Sequence, residues 1–185
     1  MLPVLGRAQR VLVPTAMRQP SIPAHAMLGI LLLLSGAFSS FGQSTATLSI
    51  EGEITNPLEL KLTDLARFKQ VTHQIRDRDG KEHAFKGVAL IDLLERAGVT
   101  TGSKLRGKNL AKYVLITAAD GYEVIFALPE IDPEFTDQVI LLATEKDGQL
   151  LPAGEGPFRI ITPNDKKPAR WIREVRTIRV GFAKE

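Results

Sequence analysis

Three Asp-Gly pairs, Asp79-Gly80, Asp120-Gly121 and Asp147-Gly148, stand between short runs of alternating or continuous apolar residues, and they restrict this chain to brief strands joined by tight returns. Glycine reaches positive φ at no steric cost. Asp tolerates the same region and bonds its own backbone, so each pair is a turn signal with a mechanism. The flanking runs agree. Residues 71–78 and 82–85 surround the first pair as a hairpin, and 139–143 with 150–151 surround the third. Residues 113–118 are apolar on both faces, as in a buried central strand. The second pair returns the chain into 122–128, where Tyr122, Val124, Phe126 and Leu128 share a face. Leu48, Ile50 and Ile54 alternate with polar residues, 158–162 is a short apolar run, and Ile178, Val180 and Phe182 alternate over 175–182.

One stretch departs from the period of two. Over 88–97, Leu90, Ile91, Leu94 and Ala97 form a helical stripe, Asp92, Glu95 and Arg96 lie opposite, and Gly98 marks the stop. Residues 63–68 predict a single helical turn capped by Thr63. Pro129 and Pro133 frame an irregular connector. The expected class is α+β with strands in the majority and one or two short helices.

The first 42 residues read as an address. Their only charges are Arg7, Arg10 and Arg18, and the apolar run at 27–38 precedes the small residues Ser40 and Gly42. A run of about a dozen apolar residues suits a signal-peptide core better than the ~20 needed to span a bilayer. The alternative is an uncleaved N-terminal anchor. Either way, residues 43–185 are expected as one periplasmic or secreted domain. Arg7 and Arg10 are not adjacent, so there is no twin-Arg signal, and export by the general route threads the chain unfolded.

The charge balance narrows the partners. Residues 43–185 carry 21 basic and 21 acidic side chains, so no global positive charge draws the domain to nucleic acid. Contact with a membrane is expected only through an uncleaved leader. The chain has no cysteine, which excludes disulfides, Cys-type zinc sites, iron–sulfur clusters and thiol nucleophiles.

Charge is nonetheless uneven. Between Arg159 and Lys184 stand eight cations against only Asp165 and Glu174. Arg173, Arg176 and Arg179 fit the solvated face of an amphipathic strand. Lys166, Lys167 and Arg170 lie in a loop beside Pro163 and Pro168, where binding groups tend to be placed, and guanidinium suits a multivalent anion. Asp120-Gly121-Tyr122 reads as a plain turn. His73 and His83 can approach across the first hairpin, but two histidines without a third ligand make a poor metal site. No Gly-x-Ser-x-Gly elbow supports a hydrolase.

The order of motifs carries more than any one of them. Gly87-Val88-Ala89-Leu90-Ile91-Asp92-Leu93-Leu94, then Ala97-Gly98, Ala119-Asp120-Gly121-Tyr122 and Asp147-Gly148-Gln149-Leu150 lead to Gly156-Pro157-Phe158-Arg159-Ile160-Ile161-Thr162-Pro163 and Arg170-Trp171-Ile172. This succession, over about residues 48–180, resembles the molybdopterin-binding oxidoreductase domain of the sulfite oxidase superfamily. The resemblance implies an α+β fold of mixed sheets that binds a pterin pyrophosphate, with molybdenum held by a Cys thiolate. It also implies Arg159, Lys167 and Arg170 as anion contacts, with Asp120 and Tyr122 lining the same pocket. Redox members working across the membrane generally receive their cofactor while folded in the cytoplasm, by the twin-Arg route.

The thiolate cannot be carried over. Residues 69–76, where it would be sought, offer Thr72 and His73, and neither hydroxyl nor imidazole is an equivalent ligand for a soft metal centre. No metal ligand is therefore assigned. Two functions remain. One is a module on this fold, without the metal, that binds a small anionic ligand or a partner protein. The other is an active periplasmic molybdopterin-dependent oxidoreductase with a non-Cys metal site.

Overall fold

A computed structural model describes residues 46–183, and the leader expected over 1–42 lies outside them. Thr47–Gly52 forms β1, Leu58–Lys61 β2, Gln70–Arg76 β3 and Glu82–Ala89 β4, followed by helix α1 at Leu90–Arg96. Lys112–Ala118 is β5, Glu123–Ala127 β6, Leu141–Lys146 β7, Gln149–Leu150 β8, Arg159–Ile161 β9 and Val175–Phe182 β10. Short 3-10 turns fill several connections. No helix among the described residues is long and apolar enough to cross a membrane.

The strands make two sheets. The first runs β2-β1-β10-β5-β6, with β1 and β10 parallel and the other pairs antiparallel. The second runs β3-β4-β7-β8, with β9 also paired to β7, and is antiparallel throughout. The α+β class with mixed sheets is therefore the observed one.

Register explains why β10 and β5 are central. Ile50 stands opposite Ile178, Ile178 opposite Ile116, and Ile116 opposite Val124, so one row of branched side chains crosses four strands. All four are buried, as are Leu90, Leu93 and Leu94 of α1, and together with Val88, Leu142 and Ile160 of the second sheet they form the main core. Leu141 and Ala143 alternate with Leu142 and point the other way. On that face Phe85, Ile161, Leu151 and Trp171 gather a second, smaller core. The strand period of two thus feeds two cores from one sheet.

Where boundaries differ from expectation, pairing is the cause. The helix expected from residue 88 starts at Leu90, because Val88 and Ala89 ladder with Leu142 and Leu141 of β7. The Leu90 N–H also donates to the Ile140 carbonyl at 2.9 Å. Gly98 does end the helix, at φ 77°, where a Cβ would meet the Thr55 side chain. The turn expected with Thr63 as cap is a 3-10 turn over Leu62–Arg67, and Asp64 rather than Thr63 accepts the Lys61 N–H at its start. β3 ends at Arg76, two residues early, since Asp77 turns inward and its N–H and carbonyl begin the tight return to Lys81 and Gly80. Asp147 and Gly148 both take positive φ, 52° and 77°, as a two-residue return between β7 and β8 requires.

Candidate functional site

The return between β5 and β6, the turn over 77–81 and the segment entering β10 enclose a cleft of ≈ 460 Å³ lined by Arg78, Asp120, Tyr122, Trp171, Arg173 and Glu174 among others. That volume is within the range of small-molecule sites. Asp120 accepts the Tyr122 N–H at 2.9 Å, the side-chain bond that shapes this turn. Tyr122 is half exposed, and its hydroxyl donates to the Ala169 carbonyl at 3.1 Å. From the other wall, Arg78 Nη2 donates to the Pro168 carbonyl at 2.9 Å. The 168–170 segment is thereby held from both sides. Glu174 sits at φ 49°, a left-handed conformation uncommon outside glycine. It is held there by bonds from its N–H to the Glu155 carbonyl and from the Ala119 N–H to its own carbonyl.

Behind Trp171 runs a chain of alternating charges. Arg159 is fully buried, with Nη2 2.9 Å from Asp77 Oδ1 and Nη1 2.6 Å from Glu155 Oε2. Its guanidinium lies 5.1 Å from the Phe85 ring centre and 5.7 Å from that of Trp171. Lys146 Nζ adds a second cation to Asp77 at 2.7 Å. Burial pushes the Asp77 carboxyl up, but hydrogen bonds from Arg159, Lys146 and the Arg78 N–H outweigh it and hold it well below the usual carboxylate range. Glu155 continues the chain to Arg173, whose Nη2 is 3.6 Å away. The series Lys146, Asp77, Arg159, Glu155, Arg173 thus holds three cations and two anions. The cation at its outer end lines the cleft, and the Nε atoms of Arg159 and Arg173 are both buried without a partner.

Arg170 faces a second depression, lined also by Glu130, Phe135 and Asp165. Its Nε and Nη2 grip Asp165 at 2.9 and 2.7 Å, its Nη1 lies 3.4 Å from Glu130, and the guanidinium rests 4.4 Å above the Phe126 ring centre. The paired Asp165 raises the Arg170 pKa, and Arg170 in turn lowers that of Asp165.

The structure therefore divides the residues singled out from the sequence. Asp120 and Tyr122 do share a cleft. Arg159 does not open onto it, because it is fully buried with both terminal nitrogens turned to Asp77 and Glu155 inside the fold. Arg170 lies on the neighbouring depression, and Lys167 is exposed and lines neither. The three cations are not brought together. The cleft's cations are Arg78, which the sequence marks only as the neighbour of the Asp79-Gly80 turn, and Arg173, which pattern assigned to a solvated strand face. Arg179 keeps that face, paired with Glu51 at 2.8 Å through Nε. His73 stands opposite Phe85 and His83 opposite Ile75, so the two histidines are not partners.

The donor set tests the metal directly. The chain has no cysteine, and among the described residues no group of three or more His, Asp or Glu is placed to hold a metal ion. In the stretch where a thiolate would be sought, Thr72 is exposed and His73 lies half-buried on β3. These residues do not fit a thiolate-held molybdenum.

Comparison with known proteins adds the family. The model described as the oxidoreductase molybdopterin binding domain matches residues 36–184. Among solved structures, the chain is similar to the sulfane dehydrogenase SoxCD from Paracoccus pantotrophus, at 20% identity and a TM-score of 0.57, covering 76% of this chain and 39% of that one. The chain thus spans about two fifths of that structure's chain. No curated protein matches.

Proposed function

The chain belongs to the oxidoreductase molybdopterin-binding domain family, and from that premise we propose that it is an exported, metal-free member that binds a small anionic ligand in the cleft beside Trp171. The observation that carries this reading is the donor set. The scaffold is kept and the sulfur ligand is missing, and folds persist while sites change.

The ligand's anionic group is received by Arg173, whose side chain is 38% exposed, and by Arg78 across the cleft. Asp120 and Glu174 line the same cleft, so a ligand that also carries hydrogen-bond donors is favoured over a bare anion. Guanidinium groups on a water-accessible rim bind oxyanions by charge-assisted bonds without metal assistance. Delivery to the periplasm or beyond by the general export route agrees with a site that needs no cofactor inserted before transport. A partner protein presenting a carboxylate is the other occupant of this chemistry. The balanced charge of residues 43–185 argues against a nucleic acid, and membrane contact is confined to an uncleaved leader.

The family itself favours the second reading, a molybdopterin oxidoreductase with a non-Cys metal site. Elemental analysis and pterin fluorescence of protein purified from its native compartment separate the two. We expect molybdenum far below one equivalent. Stoichiometric molybdenum with bound pterin overturns the metal-free reading.

A further inference from the structure

The tips of the β3–β4 and β7–β8 hairpins carry Asp79 and Asp147, and His83 stands between them. Its Nδ1 is 2.6 Å from Asp147 Oδ2 and its Nε2 is 2.9 Å from Asp79 Oδ2. A neutral imidazole has one N–H and satisfies only one of these carboxylates. Both contacts become donor-to-acceptor bonds only when the ring carries two protons. The side chain is 15% exposed and meets the Phe85 ring edge-on at 6.4 Å. Each Asp is anchored independently of the histidine: Asp147 Oδ1 accepts the Ala84 N–H, and Asp79 Oδ1 accepts the Lys81 N–H.

Beside Asp79 in the same turn stands Arg78, a wall of the cleft. Its N–H donates to Asp77 Oδ1 at 2.8 Å and its guanidinium to the Pro168 carbonyl. The base of the turn is fixed by Asp77 through Arg159 and Lys146, and its tip by Asp79 through His83. We propose that His83 is a positioning residue for the cleft: as imidazolium it clasps the two hairpin tips together and thereby holds Arg78 against the 168–170 segment. The inference does not rest on the ligand proposed above, since it concerns the wall of the cleft whatever enters it.

The sign of the pH dependence follows from the groups that face the ring. Asp147 and Asp79 favour its charged form, Asp147 more strongly, whereas partial burial and Lys146 oppose it, and the carboxylates prevail. The His83 pKa is raised above its ordinary 6.5. The clasp is therefore complete below that value and is lost as pH rises through the higher folded-state value.

Amide hydrogen exchange on the full chain, from about pH 5.5 to about pH 9, tests this. Wild type is compared with His83→Gln at each pH, so that base catalysis of exchange cancels in the ratio. At the acid end the variant is expected to exchange the amides of 78–82 and 169–171 roughly two- to five-fold faster, the factor that exposed ion pairs command. The ratio falls to one as the wild-type ring loses its proton, with the midpoint of the His83 titration seen by NMR. Asp147→Asn is expected to lower that midpoint. A ratio of one throughout overturns the clasp. So does a ratio that ignores the ring's titration, which would mark a merely structural side chain. Acceleration confined to 78–82, with 169–171 unchanged, overturns the link to the cleft.

Discussion

Arg159 and Arg173 share one carboxylate, Glu155, and little else about their surroundings is alike. Arg159 is sealed between Phe85 and Trp171 with Asp77 as a second anion. Arg173 is 38% exposed, reaches Glu155 only at 3.6 Å, and lines the cleft. One guanidinium turns both terminal nitrogens to carboxylates inside the fold, and the other makes a single long contact at the edge of the cleft. The same residue type, fourteen positions apart in a basic segment, thus does structural work on one side of Trp171 and faces a site on the other. Burial with a full set of anions commits a cation to the fold, whereas a surplus cation at the end of an ionic chain remains available.

The contrast is broken most forcefully at its buried end. Arg159→Ala empties the space between Phe85 and Trp171 and leaves Asp77 with Lys146 alone and Glu155 with only the distant Arg173, and breaking a buried pair in this way costs about 3–5 kcal/mol. Urea unfolding should show that loss, and a change below about 1 kcal/mol would mean that the ionic chain is not closed. On the open side, Arg173→Ala and Arg78→Ala should each weaken binding of sulfate or phosphate about tenfold by calorimetry, equivalent to about 1.4 kcal/mol. Arg170→Ala should change that affinity little, because its donors face Asp165 and Glu130. Equal losses from all three would describe a diffuse patch and not a cleft.

Acid sharpens the same comparison. Asp77 has a depressed folded pKa, so its contribution is present above its unfolded value of 3.8 and is lost as pH falls below that. Acid unfolding monitored through Trp171, the sole tryptophan, should shift in Asp77→Asn, which removes this dependence. The smallest effect is expected on the outer face of the first sheet. Arg179→Ala breaks an exposed pair with Glu51 and should cost less than about 1 kcal/mol in the urea experiment.

Much of the fold was legible because turns and periods are local. Asp79-Gly80, Asp120-Gly121 and Asp147-Gly148 mark real hairpins, and Gly98 ends the helix because the next backbone step needs positive φ. The helix α1 starts two residues later than its apolar stripe, because the partner of Val88 and Ala89 is β7, some fifty residues away, and no local signal announces it. The site was legible only in part. Asp120 and Tyr122 were found through a motif, whereas Arg78 and Arg173 belong to no pattern, and Arg159 stood out as a binding cation for the very charge that makes it an internal one.

By itself the amino-acid sequence determined the strand-rich α+β class, the turns and the absence of any thiolate, since backbone preferences and ligand chemistry are properties of single residues and their neighbours. Only the tertiary structure decided which cation is neutralised and which is left over. An electrostatic partner such as Asp77 for Arg159 is chosen by distance and dielectric after folding, across 82 positions of chain that sequence spacing does not weigh.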